Sequence, residues 1–297
     1  MYIHIATTES VPALNQTIPV WDSLLDAHGH VYTLSYECPA QEQPDALILM
    51  GIGAISEALK TLEQYPMTPL FSMHWDCYSW VWTNPRQGEY DYNRYGELLE
   101  QAVEVWVPSR TTAHQARKWW PNLKSENMRT ILSSIPMWKE PEDTKDEGYL
   151  LCTLRELPDP MWGKFEEACE ALRIPYRMTN HQETFSDYMN AVAHCRGIVS
   201  HLEELSTGGL SCLEGYRIGK PVLLNDSPLH GGRDYFGNRA SYFKNGDIED
   251  FQRELLRLYA SPSIAADCTV WTDRNFSSVR MVKEIAGRLE SRLGVRA

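Results

Sequence analysis

Two adjacent glycines stand at a point where the chain could bind an anion. Gly208 and Gly209 follow a short apolar run at residues 198–200, and apolar residues with helical spacing follow at 210–218. A glycine turn lets backbone N–H groups approach a ligand, and the first turn of a helix favours negative charge, so phosphate is the expected ligand. An ordinary turn between a strand and a helix of a parallel sheet has the same pattern. The glycines alone do not separate these two interpretations.

The predicted helix at 210–218 carries a carboxylate, Glu214, near its start. Its two oxygens are suited to accept hydrogen bonds from both hydroxyls of a ribose. The same carboxylate could instead only complement the helix dipole. Gly219, Lys220 and Pro221 end the helix before a second apolar run. The stretch therefore predicts the order strand, loop, helix, strand.

His74 follows a predicted strand and is a candidate for a role in chemistry. The apolar runs at residues 45–50 and 69–73 are typical of buried strands. Strands that alternate with helices predict a parallel sheet, whose ligands bind at the carboxyl ends of the strands. His74 would then point into this crevice, and Asp76 could orient its imidazole or contact an acceptor. A lone histidine after a strand is more often a polar residue whose hydrogen bonds the fold satisfies.

The segment that follows His74 is rich in aromatic residues and is interrupted by Asn84, Pro85 and Gly88. Rings in such a loop cannot all belong to one packed core, and their faces suit sugar rings and nucleobases equally. A folded lid that packs on itself is the alternative interpretation. The rings are those of Trp75, Tyr78, Trp80, Trp82, Tyr90, Tyr92 and Tyr95.

A basic and aromatic patch is predicted on a later helix, for which Ser109 is the expected N-cap. Such a patch could meet a membrane surface or a polyanion, or it could be a solvated helix face. The net charge of −12 argues against a general polyanion binder and leaves a local basic face open. The patch consists of Arg110, His114, Arg117, Lys118, Trp119 and Trp120.

Length and composition predict a cytoplasmic protein of about two domains. The chain has 297 residues, and its seven cysteines show no metal-ligand spacing, as is typical of a reduced cytosolic protein. No segment has the pattern of a signal peptide or of a membrane span. A charged stretch at residues 140–148 is typical of a linker. We expect one domain over residues 1–141, a second over 147–270, and a helix within 271–297 that returns to the first.

Three short pieces of the chain match a known pattern in the right order: Gly209-Leu210, Leu213-Glu214 and Gly219-Lys220-Pro221-Val222. They resemble the nucleotide-sugar loop of the retaining GT-B glycosyltransferases of the family-4-like group. The resemblance implies an α/β chain with the GT-B fold, in which two Rossmann-like domains with parallel sheets face a central cleft. It also implies metal-independent transfer of a hexose or pentose, with retention, from a nucleoside-diphosphate sugar of the UDP or GDP type, without a further cofactor. Ser206 replaces a glutamate of the family pattern, which suggests an unusual donor sugar.

The resemblance assigns roles in both predicted domains. As the sugar leaves, negative charge builds on the β-phosphate, and Arg155 and Lys164 would stabilise it. His74 would bond hydroxyls of the donor sugar as a third catalytic residue. The acceptor would lie in the first domain against Trp75, Asp76 and Tyr78. The donor would be bound by Ser206, Gly208, Gly209, Leu210 and Glu214.

The acceptor and the activity itself stay open. A saccharide, lipid or small-molecule acceptor is the default for this fold, and a hydroxymethylated base in DNA is the alternative, flipped out and gripped by the aromatic segment and the basic patch. A catalytically silent nucleotide-sugar binder is a further possibility, because two contacts of the family pattern are replaced. An epimerase of related fold ranks last, since it would need carboxylates near the cleft that the sequence lacks. The oligomeric state is not predicted.

Overall fold

The chain forms two compact units, each with its own parallel sheet. The first unit comprises residues 1–136 and 276–297, and the second comprises residues 137–275. The computed structural model describes residues 1–7, 31–36, 39–74, 91–135, 143–153, 161–179, 184–202, 209–228, 230–260, 262 and 264–294. For residues 31–36 and 161–163 it describes only the backbone.

Eleven strands are present in the described residues, and every neighbouring pair is parallel. Those of the first unit are β1 Tyr2–Thr7, β2 Val31–Tyr36, β3 Ala46–Met50, β4 Leu70–Met73, β5 Glu104–Val107 and β6 Met128–Thr130. Those of the second are β7 Leu150–Cys152, β8 Tyr176–Met178, β9 Gly197–Ser200, β10 Val222–Asp226 and β11 Ser241–Lys244. The sheet orders are β2-β1-β3-β4-β5-β6 and β11-β10-β9-β7-β8.

Ten α-helices alternate with these strands in the described residues. They are α1 Ile55–Gln64, α2 Tyr92–Gln101, α3 Arg110–Trp119, α4 Met161–Leu172, α5 Phe185–His194, α6 Leu210–Arg217, α7 Gly232–Phe236, α8 Ile248–Ala260, α9 Cys268–Phe276 and α10 Ser278–Leu293. Ser109 caps α3 by accepting a hydrogen bond from the Thr112 N–H at 2.9 Å, which confirms the predicted cap.

Strand β3 shows how the sequence buries both faces of the first sheet. All five of its residues are buried, as its nearly continuous apolar run predicts. Because successive side chains of a strand point to opposite faces, Leu47 and Leu49 join the core that contains residues of α1, α2 and α3. Ala46, Ile48 and Met50 join the core on the other face, which α10 completes.

Helix α6 packs closely on β9 in the second unit. A Cβ built on Gly215 would lie 1.9 Å from the Cδ1 of Ile198, so glycine is the residue that permits this approach. The helix ends before Gly219, whose φ of 86° lies in the left-handed region that glycine adopts readily.

The last part of the predicted linker is bonded to the second unit. Glu147 donates its N–H to the His194 carbonyl at 2.9 Å, and the buried Lys220 donates its Nζ to the Thr144 carbonyl at 3.3 Å. Composition alone does not show this attachment, because the partners lie far along the chain. In the described parts of the chain, no helix is both long and apolar enough to span a membrane.

Candidate functional site

Hydroxyl groups from three elements meet at the carboxyl edge of the second sheet. Thr153 follows β7, Ser200 ends β9, and Ser211 lies in the first turn of α6. The Ser211 hydroxyl bonds the Thr153 hydroxyl at 3.3 Å, and the Ser200 hydroxyl donates to the Thr153 carbonyl at 3.4 Å. Ligands of parallel α/β sheets bind at this edge.

Helix α6 begins beside these hydroxyls with an open amino terminus. Its N-cap is Gly209, with φ 80° and ψ 77°, and no side chain of the described residues caps it. The first hydrogen bond within the helix runs from the Cys212 N–H to the Gly209 carbonyl at 3.1 Å, so the N–H groups of Leu210 and Ser211 precede it. Such N–H groups, together with the helix dipole, favour an anion.

Glu214 lies one turn further along α6 and is buried. Its Oε2 accepts a hydrogen bond from the Tyr188 hydroxyl at 2.9 Å, and the same hydroxyl lies 3.4 Å from the Ser211 carbonyl. Burial raises the pKa of Glu214 to about 7, while the hydrogen bond from Tyr188 lowers it. The carboxylate is therefore fixed in place and titrates near neutral pH.

The chain that leaves β9 is held by a side-chain amide. Asn225 accepts from the Leu202 N–H at 2.8 Å and donates to the Leu202 carbonyl at 3.0 Å. The Gly232 N–H donates to Nδ1 of the buried His230 at 3.1 Å, so Nε2 carries the proton and bonds the Asn225 carbonyl at 3.1 Å. Burial also lowers the pKa of His230, which favours this neutral form. The network fixes the start of the loop that leads to Gly209.

In the first unit, His74 follows β4 and is fully buried. Its backbone N–H donates to the Trp106 carbonyl at 2.8 Å, and its Nδ1 is hydrogen-bonded to the Tyr95 hydroxyl at 3.1 Å. Burial lowers the pKa of His74 to about 3, so the imidazole is neutral at physiological pH. The ring also packs edge-on against Trp120, with centroids 5.5 Å apart.

Comparison by sequence gives no match, either to a protein-family model or to a curated protein. Comparison of structures gives long alignments at low identity. Sucrose-phosphate synthase from Thermosynechococcus elongatus aligns over 100% of both chains with a TM-score of 0.71 and 11% identity. HepE from Anabaena, solved with UDP, aligns over 98% of this chain and 99% of its own with a TM-score of 0.64 and 12% identity. AviGT4, a glycosyltransferase involved in avilamycin A biosynthesis, aligns over 100% and 99% with a TM-score of 0.61 and 12% identity.

The chain has the GT-B fold. The predicted α/β architecture of two Rossmann-like parts is thereby confirmed. In this GT-B chain the residues Gly209, Leu210 and Glu214 come together at the carboxyl edge of the second sheet, around the amino terminus of α6. Lys164 lies in the first turns of α4 with an exposed side chain. Its predicted partner Arg155 lies outside the described residues, as do Ser206, Gly208, Trp75, Asp76 and Tyr78.

The two tryptophans of the predicted basic patch contact other aromatic rings of the GT-B chain. Tyr92 lies 6.2 Å from Trp119 and 6.1 Å from Trp120 between ring centroids, and Tyr95 lies 5.6 Å from Trp120. A Cβ on Gly96 would lie 2.2 Å from Trp120, so the ring sits directly on α2. The basic residues His114, Arg117 and Lys118 are exposed.

Sequence reasoning missed Tyr188, Thr153 and Asn225. Tyr188 bonds Glu214, Thr153 bonds Ser211, and Asn225 bonds Leu202. In each pair the two residues lie far apart in the sequence, so no local spacing connects them. The predicted order strand, loop, helix, strand is the one signal that brings Asn225, on the strand after α6, near that helix. No group of three His, Cys, Asp or Glu side chains with the geometry of a metal site occurs in the described part of the chain.

Proposed function

We propose that this chain is a retaining glycosyltransferase of the family-4-like group that takes its sugar from a nucleoside-diphosphate sugar. One observation carries the proposal: Glu214 is held by Tyr188 one helical turn beyond the open amino terminus of α6. A nucleoside diphosphate needs an anion site and an acceptor of ribose hydroxyl bonds about a turn apart, and this helix provides both.

The donor phosphates would lie against the N–H groups of Gly209, Leu210 and Ser211. The hydroxyls of Thr153 and Ser211 are within reach of each other there and can donate to phosphate oxygens. Glu214 accepts the ribose hydroxyls in its ionised form. Ser206 and Gly208 complete this group of donor contacts in our assignment.

The transfer step needs no base from the protein in this proposal. The acceptor oxygen forms a bond to the anomeric carbon on the face from which the phosphate leaves. The bond from the anomeric carbon to the phosphate oxygen breaks, and that oxygen takes the acceptor proton. Arg155 and Lys164 stabilise the negative charge of the leaving diphosphate, and a metal ion is not required for this role. The products are the glycoside and the nucleoside diphosphate.

His74 would serve the sugar as a neutral hydrogen-bonding group. Because its pKa is near 3, it carries no charge and does not act as a cationic acid at neutral pH. Trp75, Asp76 and Tyr78, next along the chain, are assigned to the acceptor. We propose a saccharide or small-molecule acceptor, since the rings of Trp119 and Trp120, which would grip a flipped base under the DNA alternative, contact Tyr92.

UDP is the first nucleotide to test, because HepE was solved with UDP and with UDP-glucose. We place the reaction in the cytoplasm, a location consistent with the five described cysteines, which are all buried thiols outside any disulfide.

Thermal denaturation with UDP, GDP, ADP and CMP tests the proposal. A ligand at about 100 times its dissociation constant adds about 2.7 kcal/mol of stability, or several degrees. We expect one nucleotide class to give this shift in the wild type and little or none in Glu214→Ala. Glu249→Ala, which removes an exposed carboxylate at the start of α8, is the matched control and should keep the full shift. No shift with any nucleotide, or an equal shift in Glu214→Ala, would refute the donor site.

A separate assay distinguishes an enzyme from a catalytically silent binder. An enzyme should slowly release free sugar from the donor, and a binder should release none.

A further inference from the structure

Three arginines of the first unit surround one carboxylate, Glu104, at the start of β5. The Arg292 guanidinium lies nearest to its Oε1, with Nη2 at 3.1 Å and Nε at 3.3 Å. Arg288 Nη1 lies 3.5 Å and Arg129 Nε 3.6 Å from the same oxygen. The four residues come from β5, β6 and α10, so the tertiary fold and not local sequence brings them together.

The charges of this cluster do not balance. Glu104 is fully buried, and its Oε2 is taken by the Trp106 indole N–H at 2.8 Å. Among the residues that the structure describes, one negative charge therefore faces three positive charges. Glu284 on α10 is paired with a fourth arginine, Arg280, at 2.7 Å. In a chain with a net charge of −12, the described residues of this cluster carry a local excess of two positive charges, which would attract an anion.

The arginines also have donors that Glu104 does not use. Each guanidinium offers five N–H groups in a planar fork. Arg292 gives two of them to Oε1 and Arg288 gives one, while Arg129 lies at ion-pair distance only. Arg129 donates to the Met128 carbonyl at 2.7 Å. The three side chains are 33–37% exposed, so the guanidinium groups are accessible from solvent.

A depression lies beside the cluster on the surface of α10. Its volume is about 280 Å³, and its described lining residues are Glu284, Gly287, Arg288, Ser291 and Arg292. This volume is roughly nine times that of a water molecule in the liquid, which is room for a tetrahedral oxyanion and a small substituent. The Ser291 hydroxyl adds a neutral donor to the same wall.

The cluster is separate from the predicted site residues of its own sheet. Glu104 is the first residue of β5 and so lies at the amino end of a parallel strand. His74 follows the carboxyl end of β4, where ligands of such sheets bind. The arginine cluster therefore belongs to the opposite edge.

We propose that Arg129, Arg288 and Arg292 form a second anion site, which binds a phosphate group. Guanidinium forks match phosphate oxygens in a bidentate manner, and a dianion would balance the two excess positive charges. The phosphate is either inorganic or carried by a small phosphate ester, and both present the same oxygens to the cluster.

The Trp106 indole provides a local probe, because its N–H bonds the carboxylate that the arginines surround. In an indole ¹⁵N spectrum, the Trp106 signal is assigned with Trp106→Phe and followed as inorganic phosphate replaces chloride at constant ionic strength. We expect a saturable shift in the wild type. In Arg288→Gln/Arg292→Gln, the dissociation constant should rise roughly tenfold or more per arginine lost, since a hydrogen bond to a charged group is removed each time. Arg253→Gln/Arg257→Gln on α8, where both side chains are exposed, should bind as the wild type does.

Glu104→Gln keeps the test decisive if the double variant folds poorly. The buried carboxylate competes with phosphate for the same guanidinium groups, so its removal should tighten phosphate binding several-fold. Unspecific association with surface arginines would not respond in this direction.

Glycerol phosphate in the same titration distinguishes the two sources of the phosphate group. A tighter complex than with inorganic phosphate identifies an ester as the ligand. An unmoved Trp106 signal with both anions, an unchanged affinity in the arginine double variant, or weaker binding in Glu104→Gln would each overturn the proposal.

Discussion

A carboxylate that binds ribose hydroxyls is most useful when it is ionised, yet Glu214 is buried. Burial raises its pKa to about 7, and the Tyr188 hydroxyl lowers it by donating to Oε2. At residue scale, the proposed donor site is thus a balance between a cost of desolvation and one hydrogen bond.

Glu214→Gln should stabilise the chain at pH 8 relative to the wild type, and much less at pH 5.5. The pKa of the wild-type carboxyl is about 7 when folded and near 4.5 in the reference state, so the folded chain holds this proton over a wider range. The stability that this bound proton contributes is fully present below about pH 4.5 and is lost as the pH rises through 7. At about 1.4 kcal/mol per pKa unit, the free energy of unfolding of Glu214→Gln should exceed that of the wild type by up to roughly 3 kcal/mol at pH 8. Chemical denaturation of both proteins across pH 5.5–8 measures it, and a difference independent of pH would contradict the shift.

Tyr188→Phe should weaken nucleotide binding most strongly near neutral pH. Without the phenol the pKa of Glu214 rises further, and less of the carboxylate is ionised at pH 7. We expect an affinity loss of about tenfold there, as for a hydrogen bond to a charged group, and a smaller loss at pH 9. Calorimetric titration over this range checks the trend. Tyr176→Phe, which removes a hydroxyl 3.4 Å from Glu166, is the matched control and should leave the pH profile unchanged.

At the scale of elements, the site depends on how β9, β10 and α6 are held together. Asn225 on β10 fixes Leu202 with two hydrogen bonds, and His230 fixes the Asn225 backbone. Gly215 lets α6 lie directly against Ile198 of β9. The Asn225 contact fixes Leu202 just after β9. The Gly215 contact sets the distance between α6 and the sheet.

Asn225→Ala should lower both stability and nucleotide affinity. Two buried backbone groups of Leu202 lose their partner, at a cost of about 1–3 kcal/mol each, and Leu202 after β9 is no longer fixed. Asn225→Asp keeps the acceptor for the Leu202 N–H, so its stability and affinity should lie between those of the wild type and of Asn225→Ala. Asn127→Ala, which removes one hydrogen bond to Ala102 in the first unit, should reduce stability but not affinity. Urea unfolding and calorimetry together separate the effects, and full affinity in Asn225→Ala would exclude the positioning role.

Gly215→Ala should destabilise the second unit by about 1–3 kcal/mol, because the new methyl group overlaps Ile198. Ile198→Val in the same chain removes the overlapping Cδ1 and should restore part of the loss. Gly287→Ala on α10 is the control, since a Cβ there meets nothing within 4 Å. That change should be neutral or stabilising by up to about 1 kcal/mol, as for alanine inside a helix. Equal effects of the two substitutions in urea unfolding would rule out the close contact.

At the scale of the whole molecule, the sequence predicted the fold better than the site. The continuous apolar runs at 45–50 and 197–200 became β3 and β9, and the glycine at 209 became the start of α6. These features are local, so spacing reveals them. Pairs such as Tyr188 with Glu214, and Glu104 with Arg292, join side chains that are 26 and 188 residues apart. Periodicity says which face a residue occupies but not which distant side chain it meets.

Helix α10 fixes the order in which the chain can be completed during synthesis. Its residues Met281, Val282, Ile285, Ala286 and Leu289 share a core with Ile3 and Ile5 of β1. The second unit lies wholly within residues 137–275 and is therefore synthesised before α10. This core of β1 can therefore close only after α10 has been made. Until then this apolar face of β1 is uncovered, and the first unit is completed after the second.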